Sequence, residues 1–171
     1  HYRKPTEELN MKTILSKSTL VAGLFAFAMN AHANAEITAV YSTSADELWS
    51  AVDFHQPSEN IMPPIASSAL SGKGVGATKI NSLNGGGEVH LQLVYYSPED
   101  RAFNYVIRTS PLPVANYVGQ VRVESLGENR AQLTWSGTYE PNGVTAEEAD
   151  GILQGFLESI AGKISETYTK E

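Results

Sequence analysis

The side chains able to do chemistry are few in this sequence. It holds four histidines and no cysteine. His1 and His32 precede the region that carries strand and helix patterns, which leaves His55 and His90. No His-x-x-x-His or comparable cluster occurs, so spacing offers no transition-metal site. Without cysteine there is no thiol nucleophile, thiolate ligand or disulfide. His90 shares a polar strand face with Glu88 and Gln92 and reads as a surface residue. His55 follows Asp53-Phe54 and is the one candidate general base. The stretches Gly72–Gly76 and Gly85–Gly87 lack the Gly-Lys-Ser/Thr ending of a phosphate loop, and no helix follows either of them. No Gly-x-Ser-x-Gly elbow is present. What remains is a set of tyrosines, whose phenols can polarise a carbonyl.

Those groups need elements to hold them. Ile37 to Tyr41 reads as an opening strand. Ser44 and Glu47 have capping-box spacing, and Leu48, Trp49 and Val52 form the apolar side of a short helix ending near Asp53. Pro57, Pro63 and Pro64 then restrict the chain to an elbow carrying Ile61 and Met62. Strand patterns follow at Ile65–Leu70, Thr78–Leu83, Glu88–Tyr96, Ala102–Thr109, Tyr117–Ser125 and Ala131–Tyr139. Gly, Pro and Asn punctuate them as in an antiparallel meander. Thr145 caps a closing helix whose stripe is Ala149, Ile152, Leu153, Phe156, Leu157, Ile160 and Ile164. Over Ala146–Tyr168 that helix is about 35 Å long, and Gly151, Gly155 and Gly162 fall on its other face. The pattern predicts an α+β fold. A curved antiparallel sheet of about seven strands wraps one long C-terminal helix, with a short helix or two after the first strand, and encloses a cavity.

Alternation assigns the faces. Val89, Leu91, Leu93 and Tyr95 are expected inside, as are Phe103, Tyr105 and Ile107, then Tyr117, Val121 and Val123, then Leu133, Trp135 and Tyr139. That inward set offers rings and phenols but no carboxylate, imidazole or ammonium, which favours binding over acid–base catalysis. The expected cavity lining is Tyr105, Tyr117, Trp135, Tyr139 and Phe156, with Trp49 and Ile61 near the entrance.

The start of the chain reads as address. Residues 1–10 are polar and charged, as in an upstream extension. Residues 11–35 carry Lys12 and Lys17, an apolar run Leu20–Met29, and Ala31-His32-Ala33 and Ala33-Asn34-Ala35, the layout of a secretory signal peptide. The apolar run is about half the roughly 20 residues of a spanning helix. The remainder, 36–171, is the size of one domain. Of 12 basic and 19 acidic residues, Arg3, Lys4, Lys12, Lys17, Glu7 and Glu8 lie before residue 36, which leaves a net charge of −9 beyond it. So acidic a surface disfavours nucleic acid and anionic lipid headgroups.

The motifs Ala45-Asp46-Glu47-Leu48-Trp49-Ser50-Ala51-Val52-Asp53-Phe54, Gly72-x-Gly74-x-Gly76 and Tyr105-x-Ile107 come in that order. Pro111-Leu112-Pro113-Val114-x-x-Tyr117 and Leu133-Thr134-Trp135 with Tyr139-x-Pro141 follow. Together they resemble the START-like or helix-grip (SRPBCC) superfamily, nearest to its bacterial polyketide cyclase/dehydrase and lipid-transport type. The resemblance implies a deep hydrophobic cavity under the C-terminal helix. It also implies acids at the middle and end of the Glu88–Tyr96 strand, where this chain has Leu91, Gln92 and Ser97. The expected function is an exported, periplasmic or secreted protein holding a small apolar or lipid-like molecule, without cofactor or metal. Two alternatives stand beside it. One is a cyclase/dehydratase-like enzyme using a Tyr at the cavity floor with His55 as base. The other is an accessory protein for a periplasmic partner, docking through the glycine face of the last helix.

Overall fold

The computed structural model describes residues 33–171. The extension expected at 1–10 and the leader expected at 11–35 lie outside them, save for residues 33–35, which begin the first strand. In β1 (Ala33–Tyr41), Ala35, Ile37, Ala39 and Tyr41 are buried, the period of a half-buried strand. Ser44 caps α1 (Ala45–Val52) by accepting the Glu47 N–H, while Thr43 Oγ1 holds the Glu47 carboxylate at 2.5 Å. Leu48, Trp49 and Val52 are the buried side of this helix. The proline elbow contains a 3-10 turn, Ser58–Asn60.

Six strands follow: β2 (Ile65–Ser71), β3 (Thr78–Leu83), β4 (Glu88–Ser97), β5 (Ala102–Thr109), β6 (Val114–Gly127) and β7 (Arg130–Pro141). Each pairs antiparallel with the next, and β1 pairs with β7, giving the order β1-β7-β6-β5-β4-β3-β2. Two extra residues bend the middle of the sheet. Arg108 bulges from β5 between the pairs His90↔Thr109 and Leu91↔Ile107, and Val94 from β4 between Leu93↔Tyr105 and Tyr95↔Asn104. The second bulge inverts the faces beyond it. Tyr95 is therefore 45% exposed, and Tyr96 turns inward to stack on Trp49. Simple alternation had placed Tyr95 inside, and the bulge is why it fails there.

Helix α2 (Ala146–Ser165) opens with a full capping box between Thr145 and Glu148. Its buried stripe, including Ala149, Leu153, Leu157, Ile160 and Ile164, lies chiefly across β1. Gln154 fastens it there by accepting the Glu36 N–H at 3.2 Å and donating to the Glu36 carbonyl at 3.1 Å. Tyr41 adds a hydrogen bond from its hydroxyl to the Ala161 carbonyl, 3.0 Å. Past the helix, the tail runs along the same edge, with Ser42 N–H donating to Thr169 O and Glu171 N–H to Val40 O. Because α2 leans on β1, its Ile152–Phe156 side overhangs the central strands. The helix-grip arrangement is the one the sequence implied.

Candidate ligand-binding cavity

Between that overhang and the sheet lies a cavity of about 580 Å³. Its volume falls in the usual range for small-molecule sites. Val89 and Leu91 of β4, Phe103, Tyr105 and Ile107 of β5, and Trp135 of β7 form the wall. Ile152 and Phe156 form the roof, and Phe54, Ile61 and Met62 close one end. Exposed residues at the rim, Pro64 with Gly85 and Gly86 on one side and Ile152 with Gly155 on the other, mark the mouth.

The aromatic floor depends on two missing side chains. Gly119 and Gly137 pair directly across β6 and β7. A Cβ on Gly119 would stand 2.2 Å from the Tyr105 ring, and one on Gly137 would stand 2.5 Å from the Tyr117 hydroxyl. Only glycine lets those rings lie flat against the sheet. The Trp135 indole N–H then donates to the Tyr105 hydroxyl at 3.1 Å, and the Tyr105 and Tyr117 hydroxyls meet at 3.3 Å. Tyr117 stacks on Tyr139 at 5.9 Å between ring centroids, and Tyr139 donates to Asp150 at 2.7 Å. Burial pushes the Tyr105 and Tyr117 phenols above their ordinary range. Burial and then the Asp150 carboxylate do the same for Tyr139. At neutral pH these are uncharged phenols, able to donate.

The polar end comes from β3, whose buried members are Lys79 and Asn81 rather than Ile80. Lys79, 4% exposed, donates from Nζ to the Gln56 carbonyl at 2.6 Å and sits 4.8 Å from the centroid of the Phe54 ring. Burial pulls its pKa down to about 8, against the fields of Asp53 and Glu59, which hold the charge. The 3-10 turn is pinned to the neighbouring strand β2 by Ser68, whose hydroxyl accepts the Ser58 N–H at 3.0 Å and donates to Glu59 at 2.5 Å. Asn81 Oδ1 and Ser58 Oγ are buried without a hydrogen-bond partner among the described residues. Both residues line the cavity. The inward set therefore does contain an ammonium, which corrects the reading that it offers only rings and phenols.

His55 lies outside the cavity lining. Its Nδ1 meets Asp53 Oδ1 at 2.7 Å, and its Nε2 accepts the Gly74 N–H at 3.3 Å, which puts the ring proton on Nδ1. The other Asp53 oxygen takes the Tyr96 hydroxyl at 2.6 Å. Burial, and then that carboxylate, push the Tyr96 phenol up to about 12. Both ring nitrogens of His55 are thus engaged in tying α1 to the Gly72–Gly76 turn, and a base needs a free lone pair facing substrate.

Of the residues expected to line the cavity, Ile61, Tyr105, Tyr117, Trp135 and Phe156 do so. Trp49 does not; it packs on Tyr96 and Phe103 beneath α1. Tyr139 also lies outside the lining, behind Tyr117. Ser58 escaped the sequence reading because the proline elbow has no alternation to assign a face, and Lys79 and Asn81 because β3 has apolar Ile80 on the face that turns outward. A signal for them existed. The glycine turn at 85–87 sets the hairpin register Asn81↔Val89 and Lys79↔Leu91, and directly opposed residues share a face. Once Val89 and Leu91 point inward, Lys79 and Asn81 must follow.

Among the described residues there is no group of three or more His, Cys, Asp or Glu placed to hold a metal ion, and no helix long and apolar enough to cross a membrane.

Comparison with known proteins agrees with this geometry. No curated protein sequence matches the chain. Among solved structures, XoxI from Bacillus cereus is similar at 23% identity and a TM-score of 0.74, over 80% of this chain and 95% of that one. A START superfamily protein from Mycobacterium smegmatis is similar at 12% identity and a TM-score of 0.69, over 79% and 96%. The ZhuI aromatase/cyclase from Streptomyces sp. R1128 is similar at 19% identity and a TM-score of 0.62, over 77% and 88%. At these identities the likeness is one of fold. The sequence itself matches the family described as polyketide cyclase / dehydrase and lipid transport over residues 32–166, nearly the whole domain, and the chain belongs to that family.

Proposed function

We propose that this protein is exported and holds an apolar or amphipathic small molecule in the cavity beneath α2. The observation that carries the reading is the cavity itself, about 580 Å³ with largely apolar walls and a rim opening between Gly85–Gly86 and Ile152. The leader-like pattern of residues 11–35 supports export to the periplasm or medium. Native mass spectrometry of protein purified from its own host tests it. A small-molecule adduct that organic extraction removes is the expected result. Protein that carries nothing and takes up no added apolar compound would overturn the reading.

One observation supports a second, enzymatic reading. Tyr105 and Tyr117 put neutral phenols at the cavity floor, where a donated hydrogen bond would polarise a bound carbonyl, as a cyclase or dehydratase requires. His55 supplies no base to it, since its ring nitrogens serve Asp53 and Gly74. The accessory-protein reading has less support. Gly155 lines the cavity rather than a separate docking face, so a partner there would cover the mouth.

A further inference from the structure

A buried cation in an apolar cavity needs a counterion or carries a desolvation cost. Lys79 has no carboxylate within ion-pair distance among the described residues. The two acids nearest in effect are committed elsewhere: Asp53 to His55 and Tyr96, and Glu59 to Ser68. One proton of the ammonium is spent on the Gln56 carbonyl, and two remain. The Ser58 hydroxyl and the Asn81 amide are buried, line the same cavity and have oxygens without a hydrogen-bond partner among the described residues. The Ser58 N–H is held by Ser68 of β2, the cross-strand partner of Asn81, and the hairpin register puts Lys79 and Asn81 two positions apart on one face.

We propose that Lys79, Ser58 and Asn81 form a head-group site for the carboxylate of an apolar carboxylic acid, whose tail fills the rest of the cavity. This rests on the cavity-binding reading and names the class of ligand. The ammonium supplies charge and donors, and the Ser58 hydroxyl adds a third donor. The Asn81 amide, turned by half a rotation, presents its NH₂ at the place its oxygen now occupies. No covalent step is involved. The contact with Phe54 and the fields of Asp53 and Glu59 all favour the charged ammonium over a free amine. A point-charge anchor is what this lysine is built to be.

Isothermal titration calorimetry with dodecanoate and dodecan-1-ol, matched in tail and kept below micelle-forming concentrations, tests the proposal. At pH 7 the wild-type protein should bind the acid at least about tenfold more tightly than the alcohol, the scale of a charge-assisted hydrogen bond. Lys79→Met should lose that preference, and Ser58→Ala should reduce it. In the wild type the preference should fade between pH 7 and 9.5 as Lys79, facing Asp53 and Glu59, gives up its proton. That profile does not depend on any variant folding. Equal affinity for acid and alcohol in the wild type would overturn the head-group site and leave cavity binding standing. So would a preference retained in Lys79→Met. If neither compound binds, the cavity reading fails and this proposal with it.

Discussion

Lys79 concentrates the tension in this protein. Its pKa of about 8, against an ordinary 10.5, means that keeping it charged inside the fold costs on the order of 3 kcal/mol. Replacing it with methionine removes that cost, along with the hydrogen bond to Gln56 and the contact with Phe54. Lys79→Met should therefore be more stable than wild type at pH 7, by roughly 1–3 kcal/mol in urea denaturation. The pH dependence has a definite sign. The folded chain binds this proton more weakly than the unfolded chain, so wild-type stability rises between about pH 8 and 10.5 and the gap to the variant closes. An unchanged or lower stability of the variant at pH 7 would show that the lysine is a structural asset. Legibility at this scale was uneven. Tyr105, Tyr117 and Trp135 announced themselves as large inward residues on alternating strands. Trp49 and Tyr139 looked equivalent in sequence, yet α1 and the Tyr117 ring shield them from the cavity, and three-dimensional order decides that.

Among the elements, β4 and the β6–β7 pair shape the site. Periodicity located all seven strands, the short helix and the long one, because each has a solvent face and a core face. It could not place the Val94 bulge, since an extra residue leaves no mark on composition while reversing every face that follows. Hence Tyr96, which strict alternation would put on the face of His90 and Gln92, joins Asp53, His55 and Trp49 under α1. Nor did it read the role of Gly119 and Gly137, which look like ordinary strand glycines until the Tyr105 and Tyr117 rings are seen above them. Gly119→Ala brings a methyl to 2.2 Å from the buried Tyr105 ring, which is backed by Trp135 and Tyr117. Overpacking of this kind should destabilise the fold by about 1–3 kcal/mol, seen as a lower urea midpoint with an unchanged slope. Tyr105→Phe would leave the clash in place, whereas Tyr105→Ala should relieve it. Failure of that rescue would contradict the close-packed account of the floor.

The molecule as a whole is a sheet that holds its helix by one edge. Gln154, Tyr41 and the C-terminal tail fasten α2 and the end of the chain to β1, and the other side of the helix is left to roof a space instead of filling it. That asymmetry makes a cavity out of a core. The most direct test of it uses the chain's two tryptophans. Trp135 lines the cavity, with its indole N–H on the Tyr105 hydroxyl, while Trp49 is packed beneath α1 away from it. In a ¹⁵N-resolved NMR titration with dodecan-1-ol, the indole resonance of Trp135 should move or broaden saturably while that of Trp49 stays in place. Two unmoved indole signals at saturating ligand, or equal shifts of both, would contradict occupation of the cavity beneath α2.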